Sequence, residues 1–318
     1  MVQSNSQNWN SSTEELVVPS ISLTEANVGL TALQLLVWFF LYVNGLMLFT
    51  FFSKQAFRGN TRYILFAHTL LSDSVFLLLT DLVVLLTYFF VMVPMGFCIL
   101  LCIIMEIVTN TTPLTITAMC LERYVAICMP LRHAEISTTG RTIAAIVIIS
   151  ALCSINPFMD LFILVAAAPP SYLHQQTFCY YEVMLFLQWQ SELRAVLNQV
   201  ACVLIAVIIV FCYTKIMLAA KAASGENKES ASKGRRTLLL HSLQLFLSMI
   251  DMWCPYIEAF VQENYPQVHL SVQYFNFLAF SIISRALGSL IYGLRDQKFF
   301  LALKHQDRCK LNPISAAT

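Results

Sequence analysis

The sequence predicts an all-α membrane protein: a seven-transmembrane helix bundle, N-terminus outside, with a short amphipathic helix after span 7. Three observations carry this. The 318-residue chain is 58% hydrophobic and only 12% charged, whereas a soluble domain carries about 25% charged residues. Seven apolar runs reach the roughly 20 residues that a membrane-crossing helix needs. Lysine and arginine crowd every second connection between those runs.

Residues 1–27 form a polar tail that opens MVQSNSQNWNSSTEE. It lacks the basic-then-apolar pattern of a cleavable signal peptide, so the first span is expected to act as its own insertion signal. Asn10-Ser11-Ser12 fits an N-glycosylation acceptor on an outside tail. Asn110-Thr111-Thr112 also fits but lies inside an apolar run, where no glycan is added.

The transmembrane domain covers residues 28–294, with spans at about 28–53, 62–90, 95–121, 142–168, 194–220, 237–261 and 269–294. These runs are too long and too continuously apolar for barrel strands, which alternate over about 10 residues. Lys54, Arg58 and Arg62 follow span 1. Arg123, Arg132 and Arg141 surround the connection after span 3. Lys215, Lys221, Lys228, Lys233, Arg235 and Arg236 surround the one after span 5, and Arg295, Lys298, Lys304, Arg308 and Lys310 follow span 7. Of the 19 basic residues only Arg194, at the start of span 5, and Arg285, inside span 7, fall elsewhere. The basic connections are therefore expected in the cytosol, along with the tail 295–318. The linker 221–236 is too short for a domain. No inverted repeat of the secondary-transporter kind is visible.

Eight of the ten cysteines sit within or just below the spans or in the tail, where they read as small hydrophobes in a packed bundle. Cys98, at the outer start of span 3, and Cys179, in the outer loop 169–193, face the oxidising side, so a disulfide between them is expected. Cys102, one turn deeper, is the competing partner.

Glu122-Arg123-Tyr124 ends span 3, and the full stretch reads ERYVAICMPLRH. Seven helices, an acid-Arg-Tyr triplet and a cysteine 25 residues before that arginine resemble the rhodopsin-like (class A) G-protein-coupled receptors. The fuller phrase is similar to the inner end of helix 3 in odorant receptors. LYVNGLMLFT at 41–50, RYILFAHTLLSDSVF at 62–76, GRRTLLLHSLQLFLS at 234–248 and SRALGSLIYGLRDQKF at 284–299 resemble the teleost-type odorant group. Helix 6 keeps Trp253-Cys254-Pro255. Helix 7 has Gly288-Ser289 where the class has Asn-Pro, so it lacks its kink-forming proline. The usual helix-5 proline falls on Ile205, and the helix-4 tryptophan is missing.

What this resemblance implies is an odorant receptor, multi-pass in the plasma membrane of olfactory sensory neuron cilia. It would bind a small amphiphilic odorant within the bundle and activate a heterotrimeric, stimulatory olfactory-type G protein, raising cAMP. The alternative is a non-olfactory class A receptor for an amine or a lipid mediator. The implied coupling set is Glu122, Arg123, Tyr124, Tyr213 and Tyr292, with Arg235 standing where an acid often restrains the arginine. The implied pocket wall is Cys102, Glu106, Asn110, Trp253, Tyr256, Phe260, Gln273 and Phe277, with Glu106 meeting the ligand's polar group.

Intramembrane charges cost about 2.5–3.5 kcal/mol each on insertion scales. Here they are Asp73, Asp81, Glu106, Asp160, Asp251, Glu258 and Arg285. Asp160 and Glu258 lie near the outer end, where reaching water would relieve them. Arg285 cannot shed its proton and needs an acid. The resemblance puts Asp73 and Asp251 at its depth, Asp73 being where many receptors of the class hold sodium. The expected buried pair is Arg285 with Asp73, with Asp251 as second choice.

Other functions are excluded cheaply. A retinal photoreceptor needs a lysine in span 7, and none lies between 234 and 297. HExxH, GxSxG and paired His/Cys metal spacing are missing, so neither an enzyme, a metal site nor a cofactor is expected. A net charge of +1 gives no sign of a nucleic-acid partner.

Overall fold

A computed structural model of the chain describes residues 23–169, 171–223 and, within 243–288, all but 244, 245, 248, 252 and 287. Asn10, Arg235, Tyr292 and the expected tail helix lie outside the described residues.

The described residues form an all-α bundle. In chain order come α1 (Leu23–Ser53), α2 (Gln55–Arg58), α3 (Thr61–Tyr88), β1 (Val93–Pro94), α4 (Met95–Cys128), α5 (Pro130–Ile136) and α6 (Thr139–Ala167). Then follow β2 (Gln176–Thr177) and α7 (Gln188–Ala223). Next, α8 runs through the described residues of 243–264. The last helix, α9 (Pro266–Asn276), continues as a π-helical stretch, Phe277–Ile282. Among the described residues, α1, α3, α4, α6 and α7 are long and apolar enough to cross a membrane. Helices suit that setting because each satisfies its own backbone hydrogen bonds, which lipid cannot do. The exposed faces are apolar: Val203, Leu204, Val207 and Val210 on α7, and Leu35, Trp38 and Tyr42 on α1.

Local chemistry sets the helix ends. Asn60 caps α3, its Oδ1 accepting from the Arg62 N–H at 3.1 Å, and Thr138 caps α6 through the Arg141 N–H. Two ends differ from the expected spans. Helix α4 runs to Cys128 rather than 121, so Glu122-Arg123-Tyr124 lies inside the helix instead of ending it. Hydrophobicity marks where lipid stops, but the helix stops only at Met129, which Pro130 pushes out of helical backbone. Helix α7 begins at Gln188 rather than 194. The Gln190 side chain reaches back to accept from the Leu187 N–H at 2.7 Å, one half of a capping box. Arg194 is thereby inside the helix, not at its start.

Helix α4 is the central post, packed against α3, α6 and α7, while α1 packs on α3. Three apolar clusters hold the bundle. One, near the Glu122-Arg123 end, gathers Phe51, Phe66, Leu70, Ile116 and Met119. A second joins α1, α3 and the last helix through Leu33, Val37, Leu77 and Ile282. The third, at the other end, sits under the loop after α6 and includes Ile99, Leu164 and Met184. That loop is tied down three ways. Strand β2 pairs antiparallel with β1, the Met95 N–H donates to the Gln175 carbonyl at 3.0 Å, and Cys98 is bonded to Cys179. Cys102, the competing partner, is a buried free thiol 3.9 Å from the Cys98 sulfur.

Candidate functional site

Between α1, α3, α4, α7, α8 and the last helix lies a cavity of about 1120 Å³. Its lining includes apolar side chains, Leu33 from α1, Phe76, Val83 and Val84 from α3, and Pro113 from α4, together with the polar ones Glu106, Asn110, Arg194, Asp251, Glu258 and Arg285. A volume of this size, with a few polar groups among apolar ones, suits a small organic ligand.

Two arginines organise the polar groups. Arg194 Nη2 lies 2.9 Å from Glu106 Oε1, and its Nε lies 3.5 Å from Asp160 Oδ2. Its guanidinium stacks on Tyr181, 4.0 Å from the ring centre. Asp160 is fully buried and also accepts from the Tyr181 hydroxyl at 2.9 Å and the Gln190 amide at 3.2 Å. Burial, reinforced by the Glu106 charge, pushes the Tyr181 hydroxyl above its ordinary range, so it stays a donor. This corrects one expectation: Asp160 does not reach water, because the loop after α6 closes over it. Glu106, which lines the cavity, is held by Arg194 and by the Asn110 amide, each at 2.9 Å. An intramembrane acid with no assigned cation was the signal available in the sequence.

The second arginine is Arg285, almost fully buried. Its Nη1 lies 3.2 Å from Asp73 Oδ1 and donates to the Thr112 hydroxyl at 3.1 Å. Its Nη2 lies 3.7 Å from Asp251 Oδ2. Thr112 in turn donates to Asp73 at 2.9 Å, and Ser281 donates to Asp251 at 2.6 Å. Phe76 lies flat beneath the guanidinium, at 3.9 Å. The structure thus brings Asp73, Asp251 and Arg285 into one knot, to which Thr112, Ser281 and Phe76 add partners that spacing did not suggest.

Of the expected pocket wall, Glu106, Asn110, Gln273 and Phe277 line the cavity and the rest do not. Cys102 is buried under the loop, its thiol 3.7 Å from the Tyr180 carbonyl. Trp253 turns toward α7, its Nε1 3.4 Å from Cys202 Sγ. Tyr256 donates to the Ala195 carbonyl at 3.1 Å, and Phe260 is 61% exposed. The face of α8 that meets the cavity is Asp251, Cys254, Pro255 and Glu258, an i, i+3, i+4, i+7 set on one side of a helix. The expectation chose the neighbouring face. Nothing in a span that is apolar nearly all round fixes which stripe points inward.

At the opposite end, Arg123 Nε lies 3.7 Å from Glu122 Oε2. Its Nε and Nη2 are buried with no hydrogen-bond partner among the described residues. His133, on α5, was not foreseen; its Nε2 is 3.3 Å from Glu122 Oε1. Tyr124 packs on Phe211 of α7, with ring centres 5.4 Å apart, and Tyr213, two residues further along α7, is exposed.

The sequence model of the 7 transmembrane receptor (rhodopsin family) matches residues 43–288, most of the chain. The chain belongs to the rhodopsin family of seven-transmembrane receptors. Odorant receptor 131-2 of Danio rerio is 41% identical over 289 residues, which cover 91% of this chain and 88% of that protein. Growth hormone secretagogue receptor type 1 of Oryctolagus cuniculus is 45% identical over 74 residues, 21% of this chain and 20% of that one. This rhodopsin-family chain is accordingly a non-enzymatic signalling receptor, multi-pass in the plasma membrane, and similar to teleost odorant receptors.

Proposed function

We propose that this rhodopsin-family receptor is an odorant receptor of olfactory sensory neuron cilia. A small amphiphilic ligand enters the cavity from the disulfide end, which faces outside. The Glu122-Arg123-Tyr124 end, in the cytosol, then activates a stimulatory olfactory-type G protein and raises cAMP. The observation that carries this reading is kinship to a fish odorant receptor along nearly the whole of both chains. Two further features support it. The cavity lining combines apolar and polar side chains, as an amphiphile requires, and the basic connections belong on the cytosolic side.

The test is a screen of small amphiphiles with a cAMP readout in transfected cells. Val84→Trp, which fills part of the cavity, is expected to weaken every active compound at least about 10-fold at matched surface expression, because the ligand loses apolar contact area and meets a clash. Unchanged potency in that variant would remove the cavity as the ligand site.

A further inference from the structure

We infer that the ligand carries a cationic nitrogen and that Glu258 is its anchor. The inference rests on the cavity being the ligand site and adds the ligand's charge class. Five carboxyls stand in or just behind the wall: Asp73, Glu106, Asp160, Asp251 and Glu258. Facing them among the described residues are two guanidiniums, each already lodged between two acids. Arg194 sits between Glu106 and Asp160, and Arg285 between Asp73 and Asp251. Neither has charge to spare for an anionic ligand. A second carboxylate would enter a net-negative site, where like charges oppose it.

Glu258 is the acid left over. It lines the cavity from α8. Its partner among the described residues is a neutral one, the Asn276 amide, which donates to Oε1 at 3.1 Å. Asn276 is itself 95% buried and fixes the carboxylate's position. His269, on α9, acts on it only at longer range, with no ion-pair contact. Glu258 stands seven residues beyond Asp251, about 10 Å along the helix, so it is remote from the Arg285 knot. An ammonium group at Glu258 supplies the missing charge, and a short hydrocarbon tail then lies toward Leu33, Val83 and Val84.

The experiment measures thermal stabilisation of the purified full-length receptor in lipid nanodiscs, which needs no G protein. The probes are 2-phenylethylamine, isopentylamine and cyclohexylamine, each beside its alcohol. A charge-assisted hydrogen bond predicts half-saturation by each amine at a concentration roughly 10- to 100-fold below that of its alcohol. Glu258→Gln should bring the amine to the level of the alcohol, and Glu258→Asp should restore part of the difference. Amines that stabilise no better than alcohols, or not at all, overturn the cationic class. An amine preference that survives Glu258→Gln but is lost in Val84→Trp overturns Glu258 as anchor and leaves the cavity standing. Amine binding untouched by Val84→Trp overturns the cavity reading itself.

Discussion

Asp73→Asn and Arg285→Met should each sharply lower the amount of folded receptor at the cell surface, and the double change should recover part of the loss. Removing one partner of a buried ion pair costs about 3–5 kcal/mol, because it strands the other charge in a dry site. Both groups are buried here. Asp73 is 1% exposed and Arg285 5%, and helices α3, α4, α8 and the last helix all meet at the knot. Arg285→Met leaves two acids, Asp73 and Asp251, with hydroxyl donors alone. Asp73→Asn leaves the guanidinium with Asp251 at 3.7 Å, the longer of its two contacts. The recovery should be partial, since Asp251 remains unneutralised in the double variant. Radioligand-free surface labelling and thermal unfolding give the readout; a double variant no better than the worse single one counts against the pair. Agonist potency should also be indifferent to replacing sodium by a large organic cation, because the guanidinium already supplies the positive charge beside Asp73.

The second large effect is expected at the other end. Arg123→Ala should abolish agonist-driven cAMP while the receptor still reaches the surface and binds its ligand. Arg123 is restrained weakly: Glu122 is 3.7 Å away, and that acid also serves His133. Two of its nitrogens have no hydrogen-bond partner among the described residues. A docking helix that offers carbonyl acceptors would satisfy them, and alanine removes that gain. Normal cAMP at matched surface expression refutes the role.

The spans were legible because composition and length decide whether a segment can live in lipid, and neither depends on tertiary contacts. Helix ends were less legible. The extension of α4 to Cys128 and the early start of α7 at Gln188 rest on backbone capping, not on hydrophobicity. The disulfide could be read from which side each cysteine faces, though Cys102 competed until the loop's path was known. The Arg285 knot could be read because an unpaired intramembrane cation is so costly. The Arg194 contacts were missed by placing that residue at the start of a span, with no partner assigned to it. The inward face of α8 was missed for a different reason. Trp253 and Asp251 differ by two positions, roughly 200° of helix rotation, and only packing against α7 and the last helix sets that angle.

The π-helical stretch Phe277–Ile282 has a consequence for how one helix serves two distant acids. Arg285, which holds Asp73, comes nine positions after Asn276, which holds Glu258. On an uninterrupted α-helix those two positions would point in opposite directions, about 180° apart. A π-turn takes up one extra residue and rotates everything after it by about 100°, which swings both side chains toward the same cavity. The stretch works as a phase shifter between two halves of a helix. Its demand falls on the number of residues as well as on their chemistry: gaining or losing a single position would turn one of the two polar anchors out toward the lipid.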